Sequence, residues 1–268
     1  MKTNQIILVT LIISCFTCLP VKSYGQKDKV ILAVFAHPDD EQSVSPVLVK
    51  YAEAGARVYV AIVTDGRFGF ASHFATKDPD SLVSIRAMEM NCVTTVLGIN
   101  EPIMFGLQDQ FRMREGMDTL TNQYITTRNK LISLFKELQP DVIITWGPSG
   151  LTGHPDHRMV SDIVTEVFSM KHWSKPTNLF YTELSSGSIT ENRYGLITVD
   201  SAFLNVRIKV TANQISKARK AWNCHKSQYT KEITDELQSL FWTSQKGIAY
   251  FRSYLNANKR ITDLLKFD

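Results

Sequence analysis

From Lys29 onward the sequence alternates between short apolar runs and amphipathic stretches, and this alternation limits the folds that are open to it. Residues 30–35 are apolar throughout, as expected for a strand that is covered on both faces. The repeated strand-helix order predicts an α/β fold, with a mostly parallel sheet and helices on both of its faces. Further strands are predicted at 57–63, 102–105, 141–146 and 178–182, with helices at 45–54, 81–97, 122–138 and 155–170.

The last third of the sequence continues this pattern without a visible boundary. After residue 187 we expect a strand at 196–199 and helices at 212–226 and 231–240. No internal repeat and no linker-like segment sets this region apart from the rest. We therefore predict one domain spanning residues 26–268, in which the last third decorates a single α/β core.

Residues 1–25 have a different character and are left out of the predicted fold. Lys2 precedes an apolar run at residues 6–13, and small residues follow Pro20. This pattern is typical of a secretory signal peptide, and the run is short for a permanent membrane span. We expect the segment to be removed, leaving an exported protein, periplasmic or secreted, without stable membrane insertion. The alternative is a lipid anchor on Cys15, because residues 12–15 resemble a bacterial lipoprotein box.

Charge and cysteine usage exclude several classes of partner and site. After removal of residues 1–25, 28 Lys and Arg face 26 Asp and Glu, so the charge is nearly balanced. This balance gives no reason to expect nucleic-acid or membrane partners. The two remaining cysteines, Cys92 and Cys224, form either one disulfide or two separate buried thiols. Neither belongs to a CxxC pair, so we do not expect a cysteine metal site.

Two polar clusters follow the first and fourth predicted strands. Because the carboxyl ends of neighbouring parallel strands lie at one edge of a sheet, the clusters can meet there. Histidine nitrogens and carboxylate oxygens form the ligand set of a catalytic zinc site, which uses three protein ligands. Adjacent aspartates on a tight turn point in different directions, so one can bind metal while the other serves as a base. The clusters are His37, Asp39, Asp40 and Glu41, and His154, Asp156 and His157.

Each cluster taken alone has a simpler explanation. The first would also suit a capped strand-to-helix turn, and the second a helix start with an exposed salt bridge. The two together favour a metal site. Gly147-Pro148-Ser149-Gly150 lacks the final glycine of a GxSxG nucleophile motif, because Leu151 follows. The sequence also contains no phosphate-binding loop, no dinucleotide fingerprint and no HExxH zinc motif.

In these clusters and in several further motifs the sequence resembles the PIG-L/LmbE-like family of metal-dependent N-acetylglucosaminyl deacetylases. The similarity covers nearly the whole chain after residue 25. In one departure, Gln110 follows Asp109 where the family often has glycine, so that loop is expected to differ in shape. The shared motifs are AHPDDE at 36–41, Thr64-Asp65-Gly66, Arg86 with Glu89, 105–109, Trp146-Gly147-Pro148, 152–157, and His225 with Gln228.

The resemblance implies a Rossmann-like three-layer α/β/α fold and a zinc ion held by His37, Asp40 and His157. Ferrous iron and cobalt are alternatives, because such a donor set also accepts them. Asp39 is the implied general base, and protonated His154 the implied stabiliser of the tetrahedral oxyanion.

The resemblance also assigns supporting roles. Asp156 would orient His154 or tune its charge, and Glu41 is expected to support the metal ligands without binding the metal. Arg86 and Asp109 look like contacts to substrate hydroxyls. The alternative for Arg86 is an ion pair with Glu89 on its own helix.

The implied function is hydrolysis of a linear amide bond: removal of the N-acetyl group from an N-acetylglucosamine-type amino sugar by metal-activated water. The substrate would be a small molecule or a glycan. One alternative is a deacylase of another N-acyl compound, such as an acylated antibiotic or glycopeptide. A second is a catalytically silent glycan-binding protein. In either enzyme the loop at 67–80, with Phe68, Phe70 and Phe74, is expected to line the pocket. No sequence feature indicates an oligomeric state.

Overall fold

The structure is a computed structural model that describes residues 26–170, 178–189, 193–243 and 245–266. The predicted signal peptide at residues 1–25 and the alternative lipid anchor at Cys15 lie outside the described residues. Within the ranges above, no helix combines the length and the apolar composition of a membrane span.

Five parallel strands form the centre of the sheet, in the spatial order β3-β2-β1-β4-β5. Every residue of β1 is fully buried, which explains why its sequence is apolar on both faces. The predicted parallel sheet is confirmed, although β5 is longer than expected. The strands are β1 (Val30–Phe35), β2 (Arg57–Thr64), β3 (Ile103–Leu107), β4 (Val142–Trp146) and β5 (Asn178–Ser185).

Helices connect these strands in the order that the sequence predicts. Helix α2 starts two positions earlier than expected because the Asp78 side chain accepts the Ser81 N–H and Pro79 occupies the first turn. The same helix ends at Gly98, whose φ of 69° is the left-handed conformation that glycine adopts freely. The helices are α1 (Ser45–Glu53), α2 (Pro79–Leu97), α3 (Met117–Leu138), the single turn α4 (Gly150–Gly153) and α5 (Pro155–Met170).

The last third extends the sheet further than the sequence predicts. Two strands that the sequence analysis missed extend the β5 edge in the order β5-β8-β7, and β8 is antiparallel to both of its neighbours. The predicted strand at 196–199 is reduced to β6, which pairs with β5. The elements are β6 (Thr198–Val199), β7 (Val206–Lys209), α6 (Ala212–Trp222), α7 (Lys231–Gln238) and β8 (Ile248–Ser253).

Two predicted helices in this region are too long. Helix α6 ends at Trp222, not at residue 226, because the following residues turn to make polar contacts with buried carboxylates near α2 and β1. Helix α7 ends at Gln238 and passes into a π-helical turn, Ser239–Thr243. Cys92 of α2 and Cys224, just after α6, form a disulfide with a Cα–Cα distance of 5.9 Å.

The sheet is covered on both faces, which makes the fold a three-layer α/β/α arrangement. Along β1, Ile31 and Phe35 face a core that they share with α1, α2 and α6. Leu32 and Val34 face the opposite core, shared with α3 and α5. The alternation follows from the two-residue period of a strand. The Rossmann-like fold implied by the resemblance is therefore confirmed.

Candidate metal and catalytic site

The two polar clusters meet at the carboxyl ends of β1 and β4, where the order of the sheet reverses. From β1 the chain moves outward to β2 and β3, whereas β4 and β5 lie on the other side of β1. Such a reversal opens a crevice above the strand ends, the usual ligand site of open α/β sheets. The first cluster follows β1 directly, and the second begins α5 after the single turn α4.

His37, Asp40 and His157 bring three donor atoms to one point. His37 Nδ1 lies 3.1 Å from His157 Nε2, and His157 Nε2 lies 3.2 Å from Asp40 Oδ1. Asp40 Oδ2 lies 3.6 Å from His37 Nδ1. Ligands of one tetrahedral zinc ion, with bonds of 2.0–2.1 Å, stand about 3.3 Å apart. The three residues therefore fit a zinc-like metal. His154 is also near, since the ring nitrogens of His37, His154 and His157 lie within 4.8 Å of one another.

A hydrogen bond at the Nδ1 atom of His157 fixes the tautomer of this ring. Its Nδ1 lies 2.9 Å from the Gly150 carbonyl oxygen, an acceptor, so Nδ1 carries the proton and Nε2 keeps a free lone pair. Its ring stacks on Trp146 with centroids 5.3 Å apart and an interplanar angle of 16°. Gly150 has a φ of 62°, and a Cβ there would lie 2.8 Å from the His157 Cβ, so this backbone approach requires glycine.

His37 is oriented in the same manner by Asp109 and Asp156. Its Nε2 lies 3.0 Å from Asp109 Oδ1 and 3.2 Å from Asp156 Oδ2. These carboxylates make Nε2 the protonated nitrogen and leave Nδ1 for a metal. The Gln110 N–H donates to both carboxylates, at 2.9 Å to Asp109 and 2.7 Å to Asp156.

This geometry bears on the roles predicted for Asp156 and Asp109. The Asp156 carboxylate contacts His37, whereas its backbone N–H donates to His154 Nδ1 at 3.2 Å and its charge acts to raise the pKa of His154. Asp109 is buried behind His37, and its Oδ2 accepts the Phe68 N–H at 3.2 Å. Its role as a substrate contact stays a prediction.

The members of this candidate metal triad shift one another's pKa values. Burial acts to raise the pKa of Asp40, but the facing rings of His157 and His37 hold it well below its usual range. Burial acts to lower the pKa of His37, yet its contacts with Asp109, Asp156 and Asp40 raise it well above normal. An anionic Asp40 suits a ligand for a divalent cation.

Asp39 stands beside this triad in an unusual backbone conformation. Its φ of 124° is rare outside glycine, and its N–H donates to Glu41 Oε2 at 3.2 Å. Its Oδ2 lies 3.2 Å from Arg86 Nη2 and accepts the Tyr229 hydroxyl at 3.0 Å. Burial raises the pKa of Asp39, and the Arg86 charge opposes that rise. A buried carboxylate of this kind is suited to accept a proton.

Arg86 is buried and turned toward the β1 loop. Its Nη1 donates to the Gly66 carbonyl at 2.9 Å, and its Nη2 donates to the Pro38 carbonyl beside Asp39. The alternative of a pair with Glu89 does not match the structure, because Glu89 binds the Ser227 N–H and hydroxyl, each at 2.7 Å. The predicted contact of Arg86 with substrate stays a prediction.

Residues 224–229 contribute groups that sequence reasoning did not place in the site. His225 is almost fully buried and its Nε2 lies 2.9 Å from Glu41 Oε1. The role of Glu41 in supporting the metal ligands stays a prediction. Tyr229 reaches Asp39 from the same segment. The motif containing His225 and Gln228 was the available signal, but nothing in the sequence pointed to Tyr229.

A cavity of about 250 Å³ opens next to the triad. The β1 and β4 loops give it a polar side, and the region after residue 193 gives it a largely apolar one. None of the described residues of loop 67–80 lines it, contrary to expectation, because Asp65, Asp109 and the Lys226 carbonyl hold that loop elsewhere. The lining includes Asp39, Asp40, Thr152, His157, Tyr194, Leu196, Trp222, Tyr229, Leu237 and Phe241.

Comparison with known sequences identifies relatives over about half of the chain. This chain is 29% identical over 148 residues to 1D-myo-inositol 2-acetamido-2-deoxy-alpha-D-glucopyranoside deacetylase 2 of Catenulispora acidiphila. The alignment covers 50% of this chain and 49% of the relative. This chain is also 28% identical over 174 residues to the corresponding deacetylase of Mycolicibacterium vanbaalenii. That alignment covers 59% of this chain and 61% of the relative. The chain thus spans about half the length of the curated relatives it matches.

Solved structures share the fold at low sequence identity. N,N'-diacetylchitobiose deacetylase from Pyrococcus horikoshii matches with a TM-score of 0.63 and 17% identity, over 87% of this chain and 88% of that one. GalB, the 4-carboxy-2-hydroxymuconate hydratase from Pseudomonas putida, matches equally well at 0.63, with 15% identity over 88% and 98%. Because a deacetylase and a hydratase share this fold, the fold alone does not decide the reaction.

A family model described as PIG-L, GlcNAc-PI de-N-acetylase, matches residues 32–168. This range is half of the chain, and it runs from the third residue of β1 through β4 and both polar clusters to the last turn of α5. The chain therefore belongs to the PIG-L family.

Proposed function

We propose that this protein is a zinc-dependent N-deacetylase of N-acetylglucosamine-type amino sugars. One observation carries the proposal: His37, Asp40 and His157 converge at metal-ligand spacing, and Asp39 lines the same cavity as Asp40 and His157. The names of the family and of its bacterial relatives, which are deacetylases of an acetamido sugar, support the choice of substrate.

His37 Nδ1, His157 Nε2 and the Asp40 carboxylate would hold the metal. When bound, a divalent cation supplies Lewis-acid polarisation of the acetamide carbonyl and of water. The same donors accept ferrous iron or cobalt, so loading with each metal belongs in the test.

Asp39 has the chemistry of the general base. It takes a proton from water as the water oxygen forms a bond to the amide carbon. When the carbon–nitrogen bond breaks, Asp39 returns that proton to the departing nitrogen, which leaves as the amine. Acetate and a free amino sugar are the products, and Asp39 ends the cycle ionised.

His154 is the candidate donor to the developing oxyanion. The Asp156 N–H occupies its Nδ1, so a neutral ring carries its proton on Nε2. Burial and the neighbouring rings of His37 and His157 lower the pKa of His154. A neutral Nε2–H is still a hydrogen-bond donor, so the oxyanion role does not require the imidazolium form that the resemblance suggests.

The test is acetate release from N-acetylglucosamine, its β-linked oligomers and inositol-linked N-acetylglucosamine by the chain from residue 26, loaded with zinc, iron or cobalt. Asp39→Asn, which keeps the shape but not the charge, should lower the rate by at least about a hundredfold. Metal content measured on the same sample separates an inactive apoprotein from an inactive enzyme. A metal-loaded protein that releases no acetate from any acetamido sugar would refute the proposal.

A second candidate is deacylation of a bulkier N-acyl compound. The largely apolar wall formed by Leu196, Trp222, Leu237 and Phe241 favours it, as does structural similarity to a deacetylase of the A40926 pseudoaglycone, with a TM-score of 0.60. Sugars carrying N-acetyl, N-butyryl and N-octanoyl groups distinguish the two. A preference for the longer chains would favour this second candidate.

We also propose that the protein acts outside the cytoplasm. The disulfide between Cys92 and Cys224 supports this, because disulfides persist in oxidising compartments. Fractionation of cells that express the full chain and its Cys15→Ala variant tests the location. Release from the membrane only in the variant would identify the lipid-anchored alternative, and retention of both in the cytoplasm would contradict export.

A further inference from the structure

Two donors from different parts of the chain hold the same oxygen of Asp39. The Tyr229 hydroxyl donates to Oδ2 at 3.0 Å, and Arg86 Nη2 lies 3.2 Å from that oxygen. Tyr229 also lines the cavity next to Asp39. Among the described residues, no hydrogen bond reaches Oδ1. The two carboxylate oxygens are therefore in different environments.

The backbone does not fix this orientation by itself. Asp39 has a φ of 124°, a region that residues other than glycine rarely adopt. Its N–H is held by Glu41 Oε2, which anchors the main chain but leaves the carboxylate free to rotate. Rotation would exchange Oδ1 and Oδ2, and the bonds from Tyr229 and Arg86 oppose it.

Tyr229 follows a segment, residues 224–227, that a disulfide and several hydrogen bonds hold in place. Within this segment, Cys224 is linked to Cys92 of α2, and His225 contacts Glu41. Ser227 is bonded to Glu89 of α2, as described above. The Tyr229 N–H donates to the His225 carbonyl at 3.2 Å. These anchors fix the position of the ring, so its hydroxyl meets Asp39 at a defined point.

We propose that Tyr229 is a positioning residue for the general base: with Arg86 it fixes Oδ2 of Asp39 and keeps Oδ1 directed at the cavity, where it receives the proton. The inference rests on the proposed deacetylase function. It gives the region outside the family match a part in the reaction, since Tyr229 lies beyond residue 168.

Tyr229→Phe tests the proposal because it removes one oxygen atom and keeps the ring. We expect kcat to fall by about ten- to a hundredfold, as when one hydrogen bond to a charged group is lost, with KM changed by less than about threefold. Tyr51→Phe is the matched control. The Tyr51 hydroxyl also donates to an aspartate, Asp263 Oδ1 at 2.9 Å, but it lies outside the cavity. Its kcat should stay at the wild-type value even if its melting temperature falls.

The outcomes separate the possible roles of Tyr229. A raised KM with unchanged kcat would make Tyr229 a wall of the pocket and overturn the proposal, as would wild-type kinetics. Crystal structures of wild type and Tyr229→Phe give a readout independent of turnover: the proposal requires the Asp39 carboxylate to rotate or become disordered in the variant. If wild type releases no acetate, the proposed function fails, and an unchanged Asp39 in the variant crystal then refutes the positioning role separately.

Discussion

At the scale of single residues, the two ring nitrogens of each candidate ligand histidine have different surroundings. His157 is held by a backbone carbonyl and His37 by two carboxylates, so the supporting nitrogen carries a proton in both and the other nitrogen faces the candidate metal position. A neutral carbonyl fixes a tautomer, whereas a carboxylate also makes the ring a stronger donor to metal. We therefore expect the two ligands to respond differently when their supporting groups are changed.

Asp156→Asn tests this difference. Removing the charge behind His37 should weaken metal binding by about ten- to a hundredfold, the range found when such supporting groups are lost. Competition with a fluorescent chelator measures the affinity directly. Asp162→Asn serves as the control, because Asp162 lies on the same helix and accepts the Tyr124 hydroxyl at the surface. Equal affinities in wild type and Asp156→Asn would show that Asp156 does not tune the metal site.

At this scale the convergence of the three candidate ligands could be predicted from sequence, and their supporting contacts could not. His37, Asp40 and His157 lie in two short segments at predicted strand ends, where sheet geometry brings them together. For Arg86, helical spacing makes Glu89 an equally good partner. Its observed partners, Pro38 and Gly66, and the capture of Glu89 by Ser227 depend on distant segments, so only the folded chain reveals them.

At the scale of elements, the turn after β2 determines where Arg86 can lie. Gly66 has a φ of 65°, and a Cβ there would lie 2.3 Å from Arg86 Nη1 and 2.7 Å from its Cζ. The Arg86 guanidinium thus occupies the space that the side chain of any other residue at position 66 would need. Since Arg86 also contacts Asp39, we expect the conformation of this turn to affect the position of Asp39, the proposed general base.

Gly66→Ala should therefore lower both stability and kcat. Gly106→Ala is a close control, because Gly106 has a φ of 64° but no atom within 4 Å of the place that an added methyl group would occupy. Both variants should lose about 1–2 kcal/mol of unfolding free energy from the left-handed backbone. Only Gly66→Ala should also lose activity, as Arg86 is pushed away. Urea unfolding and steady-state kinetics measure the two effects, and a comparable loss of activity in both variants would contradict the coupling.

Strand β5 carries a buried acid that makes stability depend on pH. Burial raises the pKa of Glu183 to about 7, with Arg252 opposing the rise, and its Oε2 has no hydrogen-bond partner among the described residues. Between about pH 4.5 and 7 the folded state keeps a proton that the unfolded state has released. Folding stability should therefore fall as the pH rises through this window, by up to about 3 kcal/mol.

Glu183→Gln should remove this loss. Its unfolding free energy, relative to wild type, should increase from pH 4.5 to 7 and then level off. Chemical denaturation at several pH values measures it, with Glu137→Gln on the exposed side of α3 as the control. A pH-independent difference between Glu183→Gln and wild type would show that Glu183 ionises normally.

Elements were predictable where the order of strands and helices was regular. The five parallel strands follow from buried apolar runs separated by helices. Strands β7 and β8 were missed because sequence order does not show that the chain returns to the β5 edge in the antiparallel direction. Helix α6 was extended too far because helical periodicity continues past Trp222, whereas contacts of His225 and Ser227 with carboxylates end it.

At the scale of the whole molecule, the region after residue 193 is joined to the family core beside the active site. It completes the cavity, supplies Tyr229 and contacts the β1 loop through His225. The only disulfide found among the described residues joins Cys224 to Cys92, six positions beyond Arg86 on α2. Opening that link should affect stability and catalysis together.

Reduction of this disulfide, or the double variant Cys92→Ala/Cys224→Ala, should cost about 2–5 kcal/mol of unfolding free energy, because the bond closes a long loop, with a sequence separation of 132. Melting temperature with and without a dithiol reductant measures the effect, and the double variant, which has no bond to reduce, is the control. At temperatures where both forms stay folded, reduction should also lower kcat, since His225 and Tyr229 lose their nearest anchor. A reduced protein that is less stable but fully active would show that the remaining hydrogen bonds suffice to position Tyr229.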